Sequence, residues 1–306
     1  MAFDITILAF LALLSLAASV VNGGLGYGYS SLSTPLAILV IVNRIINPVY
    51  VLVEGLLNVA TIGLTGFTNV KSTFRRVLPI MIALVPGVII GSFVLTSVAP
   101  TWVRFFTYLM ILPLILLQAG GVRRPVKSER AAGVPLGLGV GLLYSITTIS
   151  GPPIALFWNN QGVPKGEFRA AIAQIRITES AITIAVYSFL GLFTASTFQL
   201  FTYVAPPVLL GIPLGFLIVR RVGAEVFRRI CMSFDAWIVA YGLSVVLGSL
   251  FGLLNLGYAV LAATTGIDAF LLYKFFGKRR LPPVLLGAPG SGGHISPEAP
   301  ANDEAR

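Results

Sequence analysis

The chain has 306 residues, 56% of them hydrophobic and only 10% charged, with a mean hydropathy of +0.91. A soluble domain of this size cannot hide so much apolar surface, so the composition specifies a polytopic membrane protein. The formal net charge of +10 does not indicate nucleic acid, because the basic residues fall in short connections between apolar runs, where they set orientation.

Cys231 is the only cysteine and His294 the only histidine. No internal disulfide or thiolate cluster can form, and zinc chemistry and serine–histidine–acid catalysis lack their residues. The expectation is a protein that is not an enzyme and needs no cofactor or metal.

In chain order, residues 5–21 form an apolar helical run. It is preceded by Asp4 and by no Lys or Arg, which is not the charge pattern of a secretory signal. The stretch NGGLGYGYSSLSTP (22–35) breaks it, and a short apolar segment follows over 35–46. Spans are predicted at 48–67, with Glu54 and Asn58, at 77–96, with Gly87 and Gly91 spaced for close helix packing, and at 103–117. A basic connection over 120–130 closes this half.

The second half repeats the order. An apolar run at 133–149 is broken within GLGVGLLYSITTISGPP (137–153), and a short segment follows at 153–158. Spans come at 169–193, with Arg176 and Glu179, at 203–219, with Gly211 and Gly215, and at 227–250, with Asp235. One unmatched span remains at 253–273, with Asp268. From 281 the composition turns to Pro, Gly, Ser and acids, which is that of a disordered tail.

This order divides the chain into a first membrane repeat (1–130), a second (131–252), an extra span (253–276) and a tail (277–306). If each break is a hairpin that returns to its side of entry, each half crosses three more times and the halves are inverted. Lys71, Arg75, Arg76, Lys165, Arg169, Arg220, Arg221, Arg228, Arg229 and Lys274 then share one face with the basic connection and with residues 278–280. Only Arg44 and Arg104 lie on the other. The positive-inside rule makes the crowded face cytoplasmic. The N-terminus is expected outside and the C-terminus inside, in the cell (inner) membrane.

Two broken segments at matching places in two halves point to a transport site. Ser33-Thr34-Pro35 and Ser150-Gly151-Pro152-Pro153 read as helix starts, with capping residues followed by Pro. Helix starts carry free N–H groups and attract anions. The candidate substrate-binding residues are therefore Ser31, Ser33, Thr34, Ser150 and Gly151, together with Arg176.

Glu54, Arg176, Glu179, Asp235 and Asp268 each lie in an apolar span, at about 2.5–3.5 kcal/mol apiece on insertion scales. Arg176 and Glu179 are three residues apart and can pair on one helix face. They are either a neutralised local pair or a working one, with Arg176 on the anion and Glu54 or Glu179 taking a proton. Asp235 and Asp268 read as ties to neighbouring helices. Tyr27, Tyr29 and Tyr144 offer hydroxyls to a substrate or to ordinary packing.

A glycine-rich broken segment leading into a Ser/Thr-Pro start, present in both halves, resembles the TauE/SafE sulfite exporter family. The resemblance is carried by Gly23-Gly24-Leu25-Gly26 through to Pro35 and by Gly137 through to Pro153. Gly211, Gly215 and Arg220-Arg221 follow in the second half, and the likeness spans residues 5–273. Leu142-Leu143-Tyr144 stands where that family usually has more glycine. The resemblance implies secondary transport of small anions, chiefly sulfite, sulfonates and other organosulfur anions.

The fold expected is all-α, with two inverted repeats, each a broken helical hairpin plus three spans, and one extra C-terminal span. The hairpin tips meet near the midplane, and one half rocks against the other. The partners expected are a small anionic substrate and the lipid bilayer, with no nucleic acid; a homodimer is compatible with this reading. An anion channel, and a proton-coupled carrier for another small solute or a cation, stay open as alternatives.

Overall fold

The structure, a computed structural model, describes residues 3–65, 67–120 and 128–279. Most of the basic connection and the tail with His294 lie outside them. Among the described residues there are eleven helices and no strand. In order they are α1 (Ile5–Leu25), α2 (Tyr29–Val40), α3 (Asn43–Thr65), α4 (Phe67–Ser97), α5 (Pro100–Ala119), α6 (Glu129–Thr147), α7 (Gly151–Asn160), α8 (Lys165–Phe189), α9 (Ala195–Val222), α10 (Ala224–Phe251) and α11 (Leu254–Arg279).

Seven of these, α1, α3, α4, α5, α9, α10 and α11, are long and apolar enough to cross a membrane. This is the polytopic all-α architecture that the composition demanded. The long helix α8 carries Glu167, Arg169, Arg176 and Glu179 and is sheathed by α3 and α4.

The succession long arm, short arm and three long helices occurs twice, as α1–α5 and as α6–α10. At 1.5 Å per residue, α1 is about 31 Å long, whereas α2 and α7 reach only about 18 and 15 Å. Each hairpin is thus a long arm, α1 or α6, with a much shorter return. The helix outside the duplication, α11, packs mainly on α10.

The two most extensive helix pairings are α4 with α6 and α1 with α9. Glycine makes both possible. A Cβ on Gly141 would stand 2.6 Å from the Leu84 carbonyl oxygen, and one on Gly91 would stand 2.6 Å from that of Leu142. In the other pair, a Cβ on Gly215 would come within 2.8 Å of the Gly24 nitrogen, and Gly211 abuts Ser19. The packing role read for Gly87, Gly91, Gly211 and Gly215 is what the structure shows. Each of these joints links one repeat to the other.

Arginines tie the helix ends, Arg44 and Arg169 half-buried and Arg229 buried. On α3, Arg44 donates to the carbonyls of Leu95 (2.8 Å) and Val98 (3.0 Å), at the end of α4. On α8, Arg169 donates to the Gly24 carbonyl at 2.8 Å, at the end of α1. Arg229 was expected in a basic connection but is buried inside α10, where it pairs with Asp268 of α11 at 2.7 Å. That contact gives Asp268 the interhelical role expected of it.

Candidate functional site

The first hairpin turns on two glycines. Gly26 ends α1 at φ +82° and Gly28 opens α2 at φ +104°, both left-handed conformations that suit glycine. Because Gly28 turns the chain so sharply, α2 begins at Tyr29 rather than at Ser33-Thr34-Pro35. The expected start lies in its second turn. There Ser33 Oγ donates to the Tyr29 carbonyl at 2.8 Å, while Ser31 Oγ donates to that of Gly28 at 3.0 Å. Ser31 and Ser33 hydroxyls are therefore engaged with backbone, and the first-turn N–H groups of Tyr29, Ser30 and Ser31 are the ones a helix start leaves over.

The second hairpin starts where the sequence places it. Ser150 is the N-cap of α7, and Gly151 and Pro152 open the helix. The Ser150 hydroxyl, however, does not cap. It donates to Glu179 Oε2 at 2.6 Å. Pro152 and Pro153 have no N–H, so Gly151 alone supplies a first-turn donor before Ile154, whose N–H reaches the Ser150 carbonyl.

The two tips touch. A Cβ on Gly151 would meet the Tyr27 ring at 3.2 Å and the Gly28 nitrogen at 3.7 Å. Thr34 and Thr148 share a hydroxyl–hydroxyl hydrogen bond of 2.8 Å. Thr148 holds φ +61°, the one described non-glycine residue with positive φ, at the turn between α6 and α7.

Buried charges stand behind the tips. Glu54 on α3 accepts from Ser30 Oγ and from Arg176 of α8. Glu179 accepts from Ser150. Helices α3 and α8 hold the same place in the two repeats, so each half supplies a serine from its short arm and a glutamate from its next helix. Arg176 has no such counterpart. It does not pair with Glu179, as the three-residue spacing suggested, because its guanidinium crosses to α3. All three side chains are buried.

Bonding capacity is left over here. Glu54 Oε2, Glu179 Oε1, Arg176 Nε and Nη1, Asn58 Nδ2 and Thr183 Oγ1 are buried with no protein partner. Unmet polar groups in a dry interior cost about 1–3 kcal/mol each, and charged ones more.

The tyrosine hydroxyls are used internally. Tyr27 accepts from Gln118 at 2.9 Å, Tyr29 bonds Ser15 at 3.1 Å and Tyr144 bonds Ser180 at 2.9 Å. Asp235, read as an interhelical tie, lies on α10 beside Ser31 of α2 and lines a small cavity with Tyr27, Gly28 and Pro152 at the tips. Its acidity inside an apolar span was the available signal, but only the approach of α10 to α2 reveals its neighbours. Among the described residues no three His, Cys, Asp or Glu side chains gather as a metal site.

An all-helical membrane bundle with two broken hairpins meeting over buried charges defines a transporter of the broken-helix class. The family model described as sulfite exporter TauE/SafE matches residues 11–242, from α1 into α10. The chain belongs to that family of membrane transporters. No curated protein and no solved structure matches it.

Proposed function

We propose that the chain is a secondary carrier that moves a small sulfur-containing anion, of the sulfite or sulfonate class, by alternating access. The observation that carries this reading is the convergence of the α2 and α7 starts on Arg176, Glu54 and Glu179. Backbone N–H groups of Tyr29, Ser30, Ser31 and Gly151 and the spare N–H groups of Arg176 supply the donors for an oxyanion, while the Thr34 and Ser150 hydroxyls beside them are already bonded to Thr148 and Glu179.

Charge balance selects the coupling ion. One guanidinium faces two carboxylates and, when loaded, an anion as well. In a low-dielectric interior that excess cannot stand, so the anion travels with protons held on Glu54 or Glu179. The groups around them are Tyr29 of α2, Tyr144 of α6, and Arg176 of α8. None of the others is a cation. The inverted repeats run over 1–130 and 131–252, with the N-terminus outside and the C-terminus inside. The moving bodies combine helices of both repeats, since the glycine joints cross between them.

The test is flux into liposomes containing the purified chain, with sulfite, sulfonates, chloride and metal cations in turn. Saturable flux of a sulfur oxyanion, stimulated from the far side by unlabelled anion, is the expected result. Flux that never saturates would indicate a channel, and cation flux would reject the anion site.

A further inference from the structure

A second polar cavity lies at the basic end of the bundle, apart from the hairpin tips. It measures about 250 Å³ and opens between the last turns of α5, α7 and α11 and the first turns of α10. Its walls include Gln118, Asn159, Arg228, Arg229, Leu271 and Lys274.

Arg229 is the centre of it, only 3% exposed. Asp268 holds it from behind: Nη2 donates to Asp268 Oδ1 at 2.7 Å and to the Asp268 carbonyl at 3.1 Å. Its Nε and Nη1 are buried without a protein partner, and so is Nε of Arg228. Arg228 also donates to Glu225, the other acid on this wall, at 2.8 Å. Lys274, on α11, adds a third cation. Three cations face two carboxylates that are both already bonded, so the cavity is net positive. Planar guanidinium edges with spare N–H groups suit the oxygens of a sulfur or phosphorus oxyanion.

We infer that this cavity binds a small oxyanion group at the cytoplasmic end of the carrier and that α11 completes the site. Leu271 and Lys274, and Asp268 behind Arg229, all belong to α11, which lies beyond the residues 11–242 matched by the family. Gln118 and Met232 line both this cavity and the small one at the tips, and the Gln118–Tyr27 hydrogen bond stands between them. A free anion here waits one side-chain layer from the transport site, a role that rests on the function proposed above; binding itself does not. The same chemistry would take the phosphate of an anionic lipid.

Calorimetry with inorganic sulfate on the full chain, delipidated in detergent, separates these sources. The expected result is binding that persists in Gly151→Val, where the hairpin site is blocked. Lys274→Ala and Leu271→Trp should weaken it by about fivefold or more, a loss of about 1 kcal/mol. Lys274 is exposed and Leu271 half-buried, so neither change removes a structural tie. In nanodiscs containing phosphatidylglycerol, loss of sulfate binding together with a lipid retained by the native protein and released by Lys274→Ala identifies a head group as the occupant. Sulfate binding that vanishes in Gly151→Val, or that neither α11 variant weakens, would overturn the site. So would an unmodified chain that binds neither sulfate nor lipid. Failure of the transport proposal would read differently, as sulfur-anion flux unchanged by Gly151→Val.

Discussion

Arg176 reaches across to Glu54 on α3 and leaves Glu179, one turn along its own helix, to the Ser150 hydroxyl. One arginine therefore stands between two glutamates that hold equivalent places in the two repeats. The free edge of Arg176 is available to a ligand only because the local pair with Glu179 does not form.

Removing Arg176 should act twice. Arg176→Gln leaves Glu54 buried without its cation, and breaking a buried pair costs about 3–5 kcal/mol. The yield and melting temperature of folded protein should fall. The double change Arg176→Gln with Glu54→Gln should restore folding without restoring transport. Flux at the native level in the double variant would remove Arg176 from the substrate site.

Gly151 has contact distance but no spare room. Its missing Cβ would already press the Tyr27 ring at 3.2 Å, so Gly151→Val should hold the tips apart and abolish substrate binding in a folded protein. Ser150→Ala should weaken binding only modestly, because the Gly151 N–H remains. Calorimetry with the transported anion decides the matter, and undiminished affinity in Gly151→Val would shift the site towards Glu54 and Glu179.

Proton coupling carries its own signature. Anion uptake into liposomes should quicken when the outside is made more acidic than the inside, in the direction that drives protons inward. Glu54→Gln and Glu179→Gln should each blunt that acceleration while leaving anion exchange at equal pH less affected. An anion flux indifferent to the proton gradient would rule out coupling through these residues.

Sidedness can be read by labelling. With Cys231 first changed to Ser, a cysteine at Ala195 should react from outside and one at Ser128 from inside; both positions are exposed at helix starts. Thr197, two residues further on, is buried and would label poorly. Reaction of both from one side would reject the inverted arrangement.

The glycine joints predict a contrast within one helix. Gly141→Leu must displace the Leu84 carbonyl and its turn, and overpacking of this kind costs about 1–3 kcal/mol or more. Gly139, on the same helix, has nothing within 4 Å of a Cβ. Gly139→Ala should be neutral or raise the melting temperature, since alanine favours a helix by up to about 1 kcal/mol over glycine.

The duplication, the spans and the glycine contacts were legible because they are properties of neighbours along the chain: hydropathy, small-residue spacing and Pro after a capping residue. The start of α2 was not. Pro35 marks a helix start in most contexts, yet the left-handed Gly28 begins the helix before it, and α2 tolerates Pro35 inside. Partners of buried charges were legible only when they lay on the same helix. Arg176 with Glu54, Arg229 with Asp268 and Asp235 with Ser31 each join residues brought together by packing, which periodicity does not encode. Gly211 and Gly215 could be recognised as packing residues, but nothing in their spacing says that α1 is what they receive.

That last pairing sets an order of events during synthesis. Helix α4 finds its glycine partner α6 after one further helix and a connection. Helix α1 must wait for α9, which emerges nearly 190 residues later. At about 5–20 residues per second, that delay is roughly ten to forty seconds. Throughout it the face of α1 around Ser19, Gly23 and Gly24 is inserted but uncovered. Helix α1 is therefore seated against α9 long after it is made, whereas α4 and α6 can join early.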